Sequence, residues 1–316
     1  MSDAHSIDAV LVQWGERLFY PRVRFRDAYT PRLSLPRGQD RAAYFRARIE
    51  AMVLRRSPQV MVKVTGGGRG MRAIAAHFRY ISKRGKLEME DEFGRCSSGK
   101  KGVQEVLEDW RSAGTAIDDV GFRREAINIM LSMPRGTDPL AVQAAARAFA
   151  RAELVDHRYV MVLHDHQANP HVHLSVRVES GRGVRLKPRK ADLHRWREVF
   201  AEKLRDLGID AEATRQSSRR ESRNYPPLWR LKAAAEGRPG RRGGQSDRKA
   251  GATASATRRD AAYAWYEIAA ALSVSASPDD QQLAASIRLF VGGARETERG
   301  QVRQLTTEHR GLDIEH

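Results

Sequence analysis

Along the middle of the chain, short runs in which apolar and polar residues alternate are separated by stretches of helical period. Positions 59–65, 126–133, 158–164 and 171–178 alternate with a period of two and are rich in Val, Ile, Leu and Met, which predicts strands; 184–186 is a weaker candidate. Helices are predicted over 71–82, 103–113, 139–154 and 193–207. The punctuation agrees: Asp138 and Asp192 stand as N-caps before Pro139 and Leu193, and Gly208 stands where the last helix should stop.

Parity then assigns each strand two faces. In 171–178, Val172, Leu174, Val176 and Val178 oppose His171, His173, Ser175 and Arg177. In 126–132, Ile127, Ile129 and Leu131 oppose Asn128, Met130 and Ser132, and in 59–65 the valines Val60, Val62 and Val64 oppose Met61 and Lys63. One face is oily and the other chemical. The predicted fold class is α+β: a central antiparallel sheet with helices mainly on one face, and an open face presenting Lys63, Asn128, Ser132, His171, His173 and Arg177.

Outside this core, 1–57 reads as an irregular, Arg-rich N-terminal extension with few periodicities. The main domain is placed at 58–213, an Arg-rich linker at 214–260, and a small, partly helical region at 261–316, with helices over 261–272 and 281–291. No internal repeat is visible. Lys and Arg number 56 against 39 Asp and Glu, a formal charge of +17. Such a surplus favours a polyanionic partner, nucleic acid first and an anionic membrane surface second. No apolar run approaches the roughly 20 residues needed to span a bilayer, and no secretory pattern opens the chain, so a cytoplasmic protein with no membrane span is expected. Cys96 is the sole cysteine, which excludes an internal disulfide and a cysteine-rich zinc site. Any metal must be held by histidine and carboxylate.

Four of the ten histidines fall in HDHQANPHVH, residues 164–173. His171 and His173 share one strand face, and the polar connection 165–170, with Asn169-Pro170, suits a hairpin that carries His164 back beside them. Three converging imidazoles with open coordination positions suit a divalent metal. His166, in the turn, is left open between ligand, phosphate donor and solvated residue. Asp165 is left open between orienting an imidazole and being a solvated turn carboxylate.

In the helix 71–82, Ile74, Phe78 and Ile81 form an apolar stripe, and Tyr80 lies off it among small residues and cations. A phenol, with an ordinary pKa near ~10, can serve as a nucleophile toward phosphorus where cations and a metal assist it. Gly66-Gly67-Gly68-Arg69-Gly70, before that helix, is left open between backbone N–H groups near a phosphate and a flexible strand-to-helix turn; it matches neither the P-loop nor the Rossmann spacing.

These stretches together resemble one family. HFRYISKRGKLEME, 77–90, resembles the catalytic-tyrosine motif of the HUH-endonuclease relaxases, the mobilisation nucleases of MobA/VirD type. HDHQANPHVHL, 164–174, resembles their His-hydrophobe-His metal motif, and NIMLSMPRGTDP, 128–139, the strand and loop between the two. The resemblance spans roughly 60–207 and implies an HUH relaxase-like fold. It implies Tyr80 as nucleophile, and His164, His171 and His173 holding Mg²⁺ or Mn²⁺, with Zn²⁺ as the alternative. It further implies nicking and rejoining of single-stranded DNA at a plasmid transfer origin, with Lys63, Lys83, Arg84 and Arg177 as DNA contacts. An accessory DNA-binding protein and a type IV secretion coupling protein are the implied partners, the relaxase being exported with its DNA during conjugation. One departure stands out: relatives commonly carry an aspartate two residues after the first histidine, where this chain has His166, so an outer carboxylate or general base stays open between Asp165 and His166. Other readings are a rolling-circle replication initiator or single-strand transposase of the same chemistry, a non-catalytic metal-binding DNA-binding accessory protein, and an RNA-binding protein.

Overall fold

Six antiparallel strands make one sheet, in the order β1 (Met61–Gly68), β4 (Ala126–Ser132), β6 (His171–Arg177), β5 (Tyr159–His164), β2 (Met89–Asp91) and β3 (Cys96–Ser97). The computed structural model describes residues 2–20, 39–214, 216–219 and 252–292. These fall into two compact units, one containing the sheet (57–213) and one made of the N-terminal and C-terminal segments. No helix among the described residues is long and apolar enough to cross a membrane.

The parity reading holds for the oily face. Val62, Ile127, Ile129, Leu131, Val172, Leu174 and Val176 meet α5 (Pro139–Glu153) and α6 (Lys190–Arg205) through Val142, Phe149, Trp196 and Phe200, all buried. At α5 the Asp138 carboxylate accepts from Leu140 N–H at 3.1 Å, as expected. At α6 the cap moves: the helix starts a turn early, at Lys190, and Asp192 sits inside it, accepting from Arg189 N–H at 2.8 Å. Gly208, φ +77°, follows the helix end.

The opposite face is not open across its width. Val160 and Val162 of β5 lie on the same side as the histidines, and with Ala126 they pack under α3 (Met71–Ile81) and α4 (Gly99–Ser112), whose Phe78 and Trp110 rings meet edge to face at 4.9 Å. Apolar residues on that parity of β5 demand cover, so helices flank both faces of the sheet. Asn128, Ser175 and Arg177 are buried there, and only the end bearing the histidines stays accessible.

Two further features differ from expectation. Gly66, Gly67 and Gly68 belong to β1, after a bulge between Val64 and Gly66, rather than to a turn. A Cβ on Gly67 would lie 2.3 Å from the Ala126 carbonyl oxygen, and one on Gly68 2.6 Å from Ile74 Cγ1, so these glycines admit the neighbouring strand and helix. The β2–β3 edge hairpin carries no alternating signal in its few residues and was not foreseen, whereas 184–186 contributes only an isolated bridge, Glu179 to Arg185.

In the second unit, α1 (Ser2–Phe19) and α2 (Gln39–Val53) pack with α7 (Ala252–Ser273) and a helix over 278–292 around Leu11, Leu18, Phe45, Ile49, Trp265, Ile268 and Ile287. The described N-terminal residues are thus helical rather than irregular; a helix surface studded with Arg and Tyr blurred the period. Gly15 lets α1 approach α2, since a Cβ there would sit 2.5 Å from Phe45 Cγ. Much of the Arg-rich linker and of the C-terminal region lies outside the described residues.

Candidate metal centre and nucleophile

The hairpin β5–β6 places His164 directly opposite His171, with Val162 opposite His173. Directly opposed residues on antiparallel strands share a face, and so do i and i+2 on one strand, so the three imidazoles converge. Their ring centroids are 4.6 Å (His164–His173), 5.0 Å (His164–His171) and 5.0 Å (His171–His173) apart, and one nitrogen from each lies within 4.8 Å of the others.

Backbone carbonyls fix two of the tautomers. His164 Nε2 is 2.7 Å from Ile81 O and His171 Nδ1 is 3.0 Å from Asn169 O. A carbonyl can only accept, so both of these ring nitrogens carry hydrogen, and in the neutral form of each ring it is the other nitrogen that offers a lone pair. His164 Nδ1 is buried without a hydrogen-bond partner, and so is His173 Nδ1. Unpartnered imidazole lone pairs on a closely spaced triad fit a divalent cation, and carbonyl-bound N–H groups are the usual outer support of such ligands. Burial lowers the His164 pKa and pushes that of His173 down to about 3, helped by His164, His171 and His77, so both rings are neutral near pH 7 and available as donors.

His166 lies beside the triad, its ring 5.1 Å from that of His164, but outside the converging nitrogens. Asp165 is exposed, and its one ion-pair approach among the described residues is to His166, at 4.0 Å.

Tyr80 is 72% exposed near the C-terminal end of α3. Its helix is bound to the triad through Ile81, the next residue. Sequence reasoning missed His77, which stands one turn earlier: its ring centroid is 6.4 Å from that of Tyr80 and 6.4 Å from that of His173, and its buried Nε2 has no partner. The helical spacing of three residues between His77 and Tyr80 was the available signal.

Past Tyr80 the chain turns through three left-handed residues, Lys83 (φ 49°), Arg84 (φ 61°) and Gly85 (φ 85°). Arg84 N–H donates to Arg79 O at 2.7 Å and Leu87 N–H to Ser82 O at 2.9 Å, while a Cβ on Gly85 would meet Gly99 at 2.5 Å. The turn holds two cations in an unfavourable backbone region three and four residues past Tyr80. Lys63, Lys83 and Arg84 are exposed. Arg177 is not: only 4% exposed, its guanidinium donates to the carbonyls of Trp110 (2.9 Å), Ala113 and Thr115, closing the end of α4. It shares the face of the histidines by parity, but it is spent on the backbone and removed from the DNA contacts expected of it.

The family model described as Relaxase: MobA/VirD2-like, nuclease domain matches residues 80–209. Over this segment the chain is similar to relaxase nuclease domains. Among curated proteins none matches the chain. The relaxase match starts at Tyr80 and takes in the three histidines. β1 and most of α3 precede it yet complete the same sheet and bear on the same end of it.

Proposed function

We propose that this relaxase domain nicks and rejoins one DNA strand at a plasmid transfer origin through the hydroxyl of Tyr80. The observation that carries the reading is the 2.7 Å bond between His164 and the Ile81 carbonyl, which fastens the helix of the tyrosine to one of three metal-competent histidines. His164 would bind a divalent cation through Nδ1 and His171 through Nε2, with His173 completing the set; Mg²⁺ or Mn²⁺ is the expected ion and Zn²⁺ the alternative. When bound, the cation withdraws charge from a phosphate oxygen.

Tyr80 Oη attacks the phosphorus, the bond from phosphorus to the 3′ oxygen breaks, the phenolic proton passes to solvent and the departing oxygen takes one up. The products are a 5′-phosphotyrosyl protein and a free 3′-hydroxyl. Phosphodiester energy is kept in the new ester, so attack by a 3′-hydroxyl restores the strand without ATP. Lys63, Lys83 and Arg84, all exposed, would hold the DNA backbone. The reading extends to a cytoplasmic enzyme that leaves the cell attached to its strand, with an accessory DNA-binding protein and a secretion coupling protein as partners.

Incubation with Mn²⁺ and single-stranded oligonucleotides tiling the transfer origin is expected to give a covalent protein–DNA band that disappears in Tyr80→Phe. Oligonucleotide binding with no adduct from any tile would overturn the reading in favour of a metal-binding accessory protein.

A further inference from the structure

From 57 to 87 the sheet unit contains seven cations, Lys63, Arg69, Arg72, Arg79, Lys83, Arg84 and Lys86, and no acidic residue. All seven are exposed, and none has an ion-pair partner among the described residues. Cations elsewhere in the unit commonly pair, as Arg95 with Asp91, Arg111 with Asp119, Arg147 with Glu90 and Arg195 with Glu153. Opposite the buried side of α3 (Met71, Ile74, Phe78, Ile81), its solvent side reads Arg72, Ala73, Ala76, Arg79 and Tyr80, all exposed. At 100° per residue these five occupy one stripe, with the two alanines between the two arginines and Tyr80 at its end, and about 12 Å of helix separates Arg72 from Tyr80.

The far end of the stripe is built. Met71 and Arg72 N–H donate to the carbonyls of Asp118 and Asp119 at 2.9 and 3.1 Å, and a Cβ on Gly70 (φ 90°) would lie 2.7 Å from the Asp119 oxygen. The loop so clamped presents Phe122, 99% exposed, followed by Arg123 and Arg124. A fully exposed aromatic on an anchored loop contributes nothing to the core, while an aromatic platform at the end of an unpaired cationic track is the arrangement that sequence-tolerant single-strand binding uses.

We propose that the strand runs from Tyr80 along the Arg79–Arg72 side of α3 and stacks a base on Phe122. The track rests on the nicking reading for its direction of departure but on its own residues for binding. The small residues Ala73 and Ala76 allow the backbone to lie close, and the arginines neutralise successive phosphates.

The test uses the full chain and fluorescein-labelled oligo(dT), measuring Kd by anisotropy over a salt series. Phe122→Ala is expected to weaken binding about tenfold with the salt slope unchanged, and Phe122→Trp to restore it. The double variant Arg72→Ala/Arg79→Ala is expected to lower the slope by about 1.4, two single-strand phosphates. Because Phe122 has no buried contact to lose, an unchanged melting temperature should accompany the loss in affinity. Wild-type affinity in Phe122→Ala alongside a normal Tyr80 adduct would overturn the track and leave the nicking reading standing; the expected binding losses without any adduct in the wild type would overturn the nicking reading and keep the track.

Discussion

His164 Nε2 donates to the Ile81 carbonyl at 2.7 Å, so one hydrogen bond joins a candidate metal ligand on β5 to the residue that follows the candidate nucleophile on α3. The two halves of the chemistry therefore share a mechanical link, and disturbing His164 should move both.

Mn²⁺ is expected to raise the melting temperature by mass action. His164→Ala, His171→Ala and His173→Ala should each weaken Mn²⁺ binding by more than about tenfold in calorimetric titration, and His166→Ala by much less. Equal losses for His166 and the triad would contradict the assignment of ligands.

The buried histidines give the metal-free fold a pH dependence of definite sign. His173 titrates near 6.5 when unfolded and about 3 when folded. The unfolded chain therefore binds a proton first, and stability present above pH 6.5 is lost as pH falls from there toward 3. Burial lowers His77, His157 and His164 in the same direction. Melts in EDTA across that range should show the decline, and His173→Gln should make it shallower.

Arg84 offers a separation of stability from binding. Its left-handed backbone suits glycine, so Arg84→Gly is expected to stabilise the fold by about 1 kcal/mol while lowering the salt slope of oligonucleotide binding by about 0.7. Denaturant midpoints and anisotropy on the same preparation decide it.

Arg177 should behave in the opposite way. Arg177→Met leaves three carbonyls at the end of α4 without their donor and is expected to cost about 3 kcal/mol; the salt slope of the protein that remains folded should not move. A reduced slope would mean that the guanidinium reaches DNA after all.

The glycines of β1 can be ranked. Gly67→Ala drives a methyl against the Ala126 carbonyl and should cost about 2 kcal/mol, whereas at Gly66 the nearest neighbour to such a methyl is Asn128 Nδ2 at 3.9 Å and the change should cost under about 1 kcal/mol. Chemical denaturation of the two variants measures the difference.

What could be read from the sequence was set by period. The valines of β6 and the histidines between them announced the strand, its two faces and the place of His171 and His173, because alternation is a local property. The neighbour of Tyr80 across space was not local: the Ile81 carbonyl reaches His164 only after the chain has formed four more strands. Arg177 had the parity of a surface cation, and nothing in its own strand reveals that α4 ends above it. Val160 and Val162 did carry a signal for cover on the second face, since an apolar pair on the parity of a histidine requires something to pack against.

Because His164 and His171 are cross-strand partners, the hairpin's pairing register fixes the distance between them and the intervening residues 165–170 serve only as a tether. The seven-residue interval is thus one solution among several: a longer or differently composed tether could join the same two strands and deliver the same three nitrogens, while a slip of a single residue in the pairing would turn one ligand to the wrong side of the sheet. The tip of this hairpin is therefore the place where the domain has room to acquire new contacts without retuning its centre.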